Sequence, residues 1–239
     1  DKVVLFDGIL ELMQRVLSTH KELQDAGILE ITTTPYAHPI LPLIYDTDLA
    51  LVGNPKATMP NRQFSEPEDA AFHLTKSVEM YESIFGREVR GLWPGEGSVA
   101  EEIVPLVSEA GYKWMQTGEP VLVASLGLAG DRFTRNSDGV VNDPDTFYRP
   151  YYVQGETGDQ VAVFFRDWVI SDKVGFTYSG MTGEAAAQDM VDSLQAIYES
   201  LEGIEGPHIV TIVVDGENAW ENYDNDGKEF FHQGNPVSQ

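Results

Sequence analysis

Ile209-Val210-Thr211-Ile212-Val213-Val214-Asp215-Gly216-Glu217-Asn218-Ala219-Trp220-Glu221 changes chemistry abruptly at Asp215. The residues before it are all β-branched, which fits a strand buried on both faces. The residues after it are acid, glycine, acid, amide and tryptophan. A carboxylate just past the end of a buried parallel strand is where α/β folds place catalysis, because the strand is rigid and the following loop opens into a cleft. A plainer reading makes Asp215-Gly216 a turn pair. The stretch alone does not choose between them.

Working outward, the same junction recurs. Ile28 to Thr34 reads as a strand that carries Glu30 and three threonines and is bounded by Pro35, polar content that points to a wet or sugar-filled interior. The proline-paced loop Tyr36-Ala37-His38-Pro39 then fixes Tyr36 and His38, although His38 serves equally well as a structural histidine. Glu88 to Trp93 is a short strand, and Glu96 follows it inside Pro94-Gly95-Glu96-Gly97, where small neighbours allow close approach. Gln160 to Phe165 is another buried strand and ends in Arg166-Asp167-Trp168.

Helical patterns separate these strands. Ile9, Leu10, Leu12, Met13, Val16, Leu17 and Leu23 share helical spacing, with Gly27 as the stop. Ser65, Pro67 and Glu68 open a helix to Phe85, and Ser98 with Glu101 caps another to Ala110. Asp46 to Phe64 reads as loop. A short helix and turn follow from Ser171, and Glu184 to Leu201 forms a long helix leading back to the strand that ends at Asp215. Residues 127–152 break the alternation, and after Trp220 the acidic Asp224 to Gly227 reads as a turn. Parallel strands joined by right-handed crossovers bring their carboxyl ends to one side. The expectation is one α/β domain over residues 1–239 with Glu30, Glu96, Asp167, Asp215 and Glu217 converging.

Composition narrows the partners. A net charge of −24 over 239 residues repels nucleic acid and anionic membranes and favours a neutral substrate. The absence of cysteine excludes disulfides, thiolate metal sites and a thiol nucleophile, and leaves the compartment open. No apolar run approaches membrane-spanning length. Asp1 is not an initiator residue and no leader pattern follows it, so the chain reads as a processed product or an excerpt of something longer.

Carboxylates from different strands lined by Trp93, Trp168 and Trp220 suit cleavage of a glycosidic bond. One acid protonates the departing oxygen while the other attacks the anomeric carbon, and aromatic faces stack on sugar C–H surfaces. Acids capping helices explain Glu68 and Glu101, but not a tryptophan beside each strand-end acid. A hard cation held by Asp215, Glu217, Asp167 and His38 is the competing arrangement and carries less weight.

Four segments resemble glycoside hydrolase family 57, the group of amylopullulanases, α-amylases and 4-α-glucanotransferases. They are Glu30 to Leu43, Gly91 to Ser98, Phe165 to Asp172 and Val214 to Glu221, in family order across nearly the whole chain. The resemblance implies an incomplete, distorted (β/α)7 barrel and a retaining reaction at α-glucosidic bonds of starch-like glucans. It implies Glu96 as nucleophile and Asp215 as general acid/base, with Glu30, Tyr36, His38, Trp93, Arg166, Asp167, Trp168, Glu217 and Trp220 around the sugar. No cofactor is required and no metal ligand is assigned, while a structural calcium is left open without being predicted. Burial beside Glu217 and Glu96 is expected to raise the pKa of Asp215, and Arg166 to keep Glu96 ionised. The two carboxyl groups are expected roughly 5 to 6 Å apart. The family's early His-Gln-Pro segment is absent, so the barrel edge would need a further chain or loop to pair it. Transfer in place of hydrolysis, and glucan binding without turnover, are the alternatives.

Overall fold

A computed structural model describes residues 2–155 and 158–216. Glu217, Trp220 and the acidic turn expected after Trp220 lie outside the described residues. The chain divides into two compact units, Asp1–Met115 with Tyr152–Val163, and Gln116–Tyr151 with Phe164–Gln239. The architecture is mixed α/β.

In the first unit, α1 spans Lys2–Asp25 and stops where Gly27 takes φ +73°. Among its described residues only Gln24 is buried. That one contact matters, because Gln24 Oε1 accepts from Ile31 N–H at 2.8 Å and the Tyr81 hydroxyl donates to Ile31 O at 3.0 Å. Side chains therefore satisfy the backbone that a ladder would use. The strand expected over Ile28 to Thr34 shrinks accordingly to one parallel bridge, Thr33 with Leu92.

Helix α2, Pro67–Phe85, has proline in its first turn and Gly86 at φ +70° after its end. It buries Ala70, Leu74, Ser77, Tyr81 and Phe85, one stripe at helical spacing. Ser65 does not cap it; that hydroxyl donates to Tyr45 O at 2.9 Å. Strand β1, Gly91–Leu92, precedes α3, Val104–Glu109. The capping box expected at Ser98 does not form, because Pro105 is tolerated only in a first turn and moves the α-helical start to Val104. The expected loop from Asp46 to Phe64 carries short helical turns at Thr47–Leu49 and Ala50–Gly53.

Strand β2, Trp114–Gly118, pairs parallel with β1 in the register Gly91 to Trp114 and Leu92 to Met115. With β3, Tyr151–Gln154, and β4, Gln160–Arg166, they form a sheet in the order β1-β2-β4-β3. A Cβ on Gly91 would stand 2.3 Å from the Trp114 ring, so any larger residue there would force that ring to move. Leu41, Leu74, Leu92, Ile103 and Val107 have no measurable exposure and form the core. Each contributes on the order of 2 kcal/mol of apolar burial.

In the second unit, α4, Glu119–Ser125, leads into the irregular 127–152 segment, where Arg135 and Val141 make one antiparallel bridge. Helix α5, Trp168–Gly175, begins earlier than the expected turn from Ser171 because the Asp167 side chain caps it. Helix α6, Gly183–Ser200, is capped by Thr182, and its Asp189 accepts from Lys173 at 2.8 Å and Tyr178 at 2.7 Å. The segment 209–214 is another correction. It makes one parallel bridge, Thr211 with Arg166, and leaves Ile209, Ile212 and Val214 exposed. Strand β4 ends at Arg166, so beyond that bridge the neighbouring chain is already helix and offers no ladder. No described helix is long and apolar enough to cross a membrane.

Candidate active site

Among the described residues, Ala37, His38 and Glu96 are the non-glycine residues with positive φ, at 59°, 55° and 55°. Such conformations cost about 1 kcal/mol each for an L-residue, and they persist only where surrounding contacts impose them. Here the contacts are mutual. The turn at the carboxyl end of β1 is pressed against the turn 37–39, and a Cβ on Gly95 would fall 2.3 Å from Pro39 O.

Side chains complete the join. His38 Nδ1 is 2.8 Å from Thr34 Oγ1, and His38 Nε2 is 3.2 Å from Glu96 Oε1. In the neutral Nε2–H tautomer the ring donates to Glu96 and accepts from Thr34. The imidazole is thereby held with its N–H directed at the carboxylate. Glu96 remains 74% exposed at its side chain, so the group is tethered on one side and open to an incoming molecule on the other. Tyr36, also exposed, is fixed by its backbone N–H to His73 O at 3.0 Å and by stacking on the His73 ring. Trp93 is half-buried next to this turn and donates its backbone N–H to Thr33 O.

Glu30 lies elsewhere in the first unit. It lines a cleft of about 370 Å³ with Gln24, Tyr81, Arg87 and Arg90, a cleft lined by neither His38 nor Glu96. The reason is register: Glu30 comes three residues before the Thr33 bridge, roughly 10 Å of extended chain away from the turn.

The second unit holds Arg166, Asp167, Trp168 and Asp215. Arg166 pairs with Asp172 at 3.1 Å. Trp168 is half-buried, carries the Arg132 guanidinium over its ring at 4.9 Å, and packs its indole edge against Gly118. Asp167 is fully buried. Its carboxylate accepts from both terminal nitrogens of Arg135, from the Tyr148 hydroxyl at 2.9 Å and from Ile170 N–H at 3.1 Å. Arg135 also reaches Glu119 Oε2 at 3.0 Å, and Glu119 is fully buried and accepts from Phe133 N–H.

One guanidinium thus serves two buried carboxylates. Burial alone would lower its pKa, but the facing charges of Asp167 and Glu119 outweigh that and hold it above the ordinary arginine value. Burial, and then the charge of Asp167, push the Tyr148 phenol above its ordinary value. Sequence reasoning missed Glu119, Arg135 and Tyr148. Glu119 does not follow an apolar strand run as the expected acids do, and an arginine inside an irregular segment carries no local signal of burial.

Asp215 is exposed at the end of the 209–215 segment. Glu96 belongs to the first unit and Asp215 to the second. No group of three or more His, Asp or Glu is arranged to hold a metal ion among the described residues, and Glu217 of the competing cation arrangement lies outside them.

The sequence model of Glycosyl hydrolase family 57 matches residues 5–235. No curated protein matches this chain. Among solved structures the chain resembles a 4-alpha-glucanotransferase from Thermococcus litoralis, at 18% identity and TM-score 0.59 over 96% of this chain and 28% of that one. It also resembles a GH57-type branching enzyme from Pyrococcus horikoshii, at 16% identity and TM-score 0.61 over 94% of this chain and 44% of that one. A GH57 branching enzyme from Thermococcus kodakaraensis gives 17% identity and TM-score 0.61 over 88% and 44%. The chain therefore spans less than half the length of these proteins, and the likeness is one of fold.

Proposed function

The chain belongs to glycosyl hydrolase family 57, and from that premise we propose that it cleaves α-glucosidic bonds of starch-like glucans by a retaining double displacement within a distorted (β/α)7 barrel. Glu96 attacks the anomeric carbon and forms a glycosyl ester as the leaving oxygen takes a proton from Asp215. Asp215 then draws a proton from water, which displaces the sugar from Glu96 with net retention. His38, hydrogen-bonded to Glu96, orients the nucleophile. Trp93, Trp168 and Trp220 offer apolar faces to the sugar, and the reaction needs no cofactor.

The observation that carries this reading is the turn at Glu96. A carboxylate is held at φ 55° at the end of a parallel strand, fixed by a histidine from a second strained turn and open to solvent. Strain of that kind at an exposed acid has no benefit to folding. If a sugar hydroxyl replaces water in the second step, the same residues transfer glucan instead of hydrolysing it. Incubation with maltooligosaccharides and analysis of products tests the proposal. New reducing ends report hydrolysis, redistributed chain lengths report transfer, and unchanged substrate contradicts both.

A further inference from the structure

Three hydrogen bonds line one edge of the segment that ends in Asp215. Ile209 N–H donates to Tyr148 O at 2.8 Å, Thr211 O accepts from Asp167 N–H at 2.9 Å, and Val213 N–H donates to Ser171 Oγ at 3.1 Å. Alternate residues of an extended chain face the same side, so these three contacts form one series and Asp215 is the next position in it.

The three anchors are themselves tied together. Asp167 accepts the Tyr148 hydroxyl and the Arg135 fork, caps α5 through Ile170 N–H, and thereby fixes the turn that presents Ser171. Ser171 is fully buried, as is Asp167, and Tyr148 is 2% exposed. Among the described residues the Thr211 bridge to Arg166 is the one ladder contact of this stretch.

We propose that Ser171 is a positioning residue for Asp215, an anchor of the segment clamped by the buried Arg135, Asp167 and Tyr148 cluster. This rests on the role of Asp215 proposed above. It also gives Asp167 work other than sugar contact: the carboxylate is saturated with donors inside the protein, and its backbone and cap set the register of the catalytic segment. Val213 N–H sits two residues before Asp215, roughly 7 Å of extended chain. Loss of the Ser171 oxygen removes one restraint two residues before the acid and lets it shift relative to the leaving oxygen, while the nucleophile stays in place.

The test separates proton donation from everything else. First-turnover rates of the full chain are measured on a maltooligosaccharide, whose leaving sugar needs a proton, and on an α-maltosyl fluoride, whose fluoride needs little help. Ser171→Ala is expected to lose about tenfold or more on the oligosaccharide at unchanged KM, within the range a small misplacement of a catalytic group costs. On the fluoride the loss is expected to stay below about twofold, because acid catalysis contributes little there. Ser171→Thr, which keeps the hydroxyl, is expected to recover the oligosaccharide rate. Tyr148→Phe, a second variant that keeps the ring and removes one bond to Asp167, is expected to show the same split in milder form.

Equal losses on both substrates, or none on either, in a folded variant overturn the positioning role and leave the proposed function standing. A wild-type chain that turns over neither substrate overturns the proposed function itself.

Discussion

His38 Nε2 lies 3.2 Å from Glu96 Oε1 although 58 residues separate them in the chain, and both residues hold φ near 55°. Two strained turns have been folded against each other and joined by one hydrogen bond. The pair is about half exposed or more, so its worth to stability is below about 1 kcal/mol. Its worth is in where it holds a carboxylate.

Replacing His38 by alanine is therefore expected to leave the thermal midpoint nearly unchanged and to cut kcat about 10- to 100-fold, the range seen when a partner that orients a reacting group is removed. Steady-state kinetics beside a thermal melt reads both quantities. A variant with wild-type kcat would remove His38 from the account.

Glu96→Gly carries a less usual expectation. Glycine adopts positive φ without a Cβ penalty, so the variant should gain on the order of 0.5 to 1 kcal/mol of stability while losing all turnover. Urea midpoints of the two proteins give the comparison. A loss of stability beyond about 1 kcal/mol would mean that Glu96 serves the fold after all.

A third expectation concerns alkali. Tyr112 is buried and bonded to Ser77 Oγ at 2.7 Å, and burial pushes its phenol up to about 12 from the ordinary 10.0. The folded state favours the neutral form, so this stabilisation is fully present below pH 10 and is lost as pH rises through about 12. The size is on the order of 2 to 3 kcal/mol. Tyr148 and Tyr151 shift in the same direction and add to the alkaline fall. Tyr112→Phe is expected to cost about 1 kcal/mol at neutral pH through the lost hydrogen bond and to flatten the decline between pH 10 and 12. An unaltered alkaline transition would contradict the assignment.

What the sequence made legible, and what it did not, follows from where hydrogen bonds go. The helix from Pro67 to Phe85 was readable because its proline, its acids and its closing glycine are local signals. The placement of Glu96 was readable because a strand, a glycine-flanked turn and a helix follow in order. The strands expected over 28–34 and 209–214 each shrank to one bridge, since Gln24 and Tyr81 satisfy the first backbone and Tyr148 and Ser171 hold the second. Those partners are distant in sequence, and β-branched composition reports a preference for extended chain without naming what it pairs with. Glu30 lines a cleft with Gln24, Tyr81, Arg87 and Arg90, neighbours that its own stretch of sequence does not announce. Arg135 was invisible because its burial is created by carboxylates at Glu119 and Asp167, which only the fold brings to it.

The central claim is that Glu96 forms a bond to the sugar. Incubation of the chain with a slow-turnover 5-fluoro-α-glucosyl fluoride, followed by proteolysis and mass spectrometry, reads this directly. The account predicts one added fluoroglucosyl group on the peptide carrying Glu96, and no such adduct in Glu96→Gln. A label on another carboxylate, or an unlabelled protein that still releases sugar from glucan with retention, would contradict it.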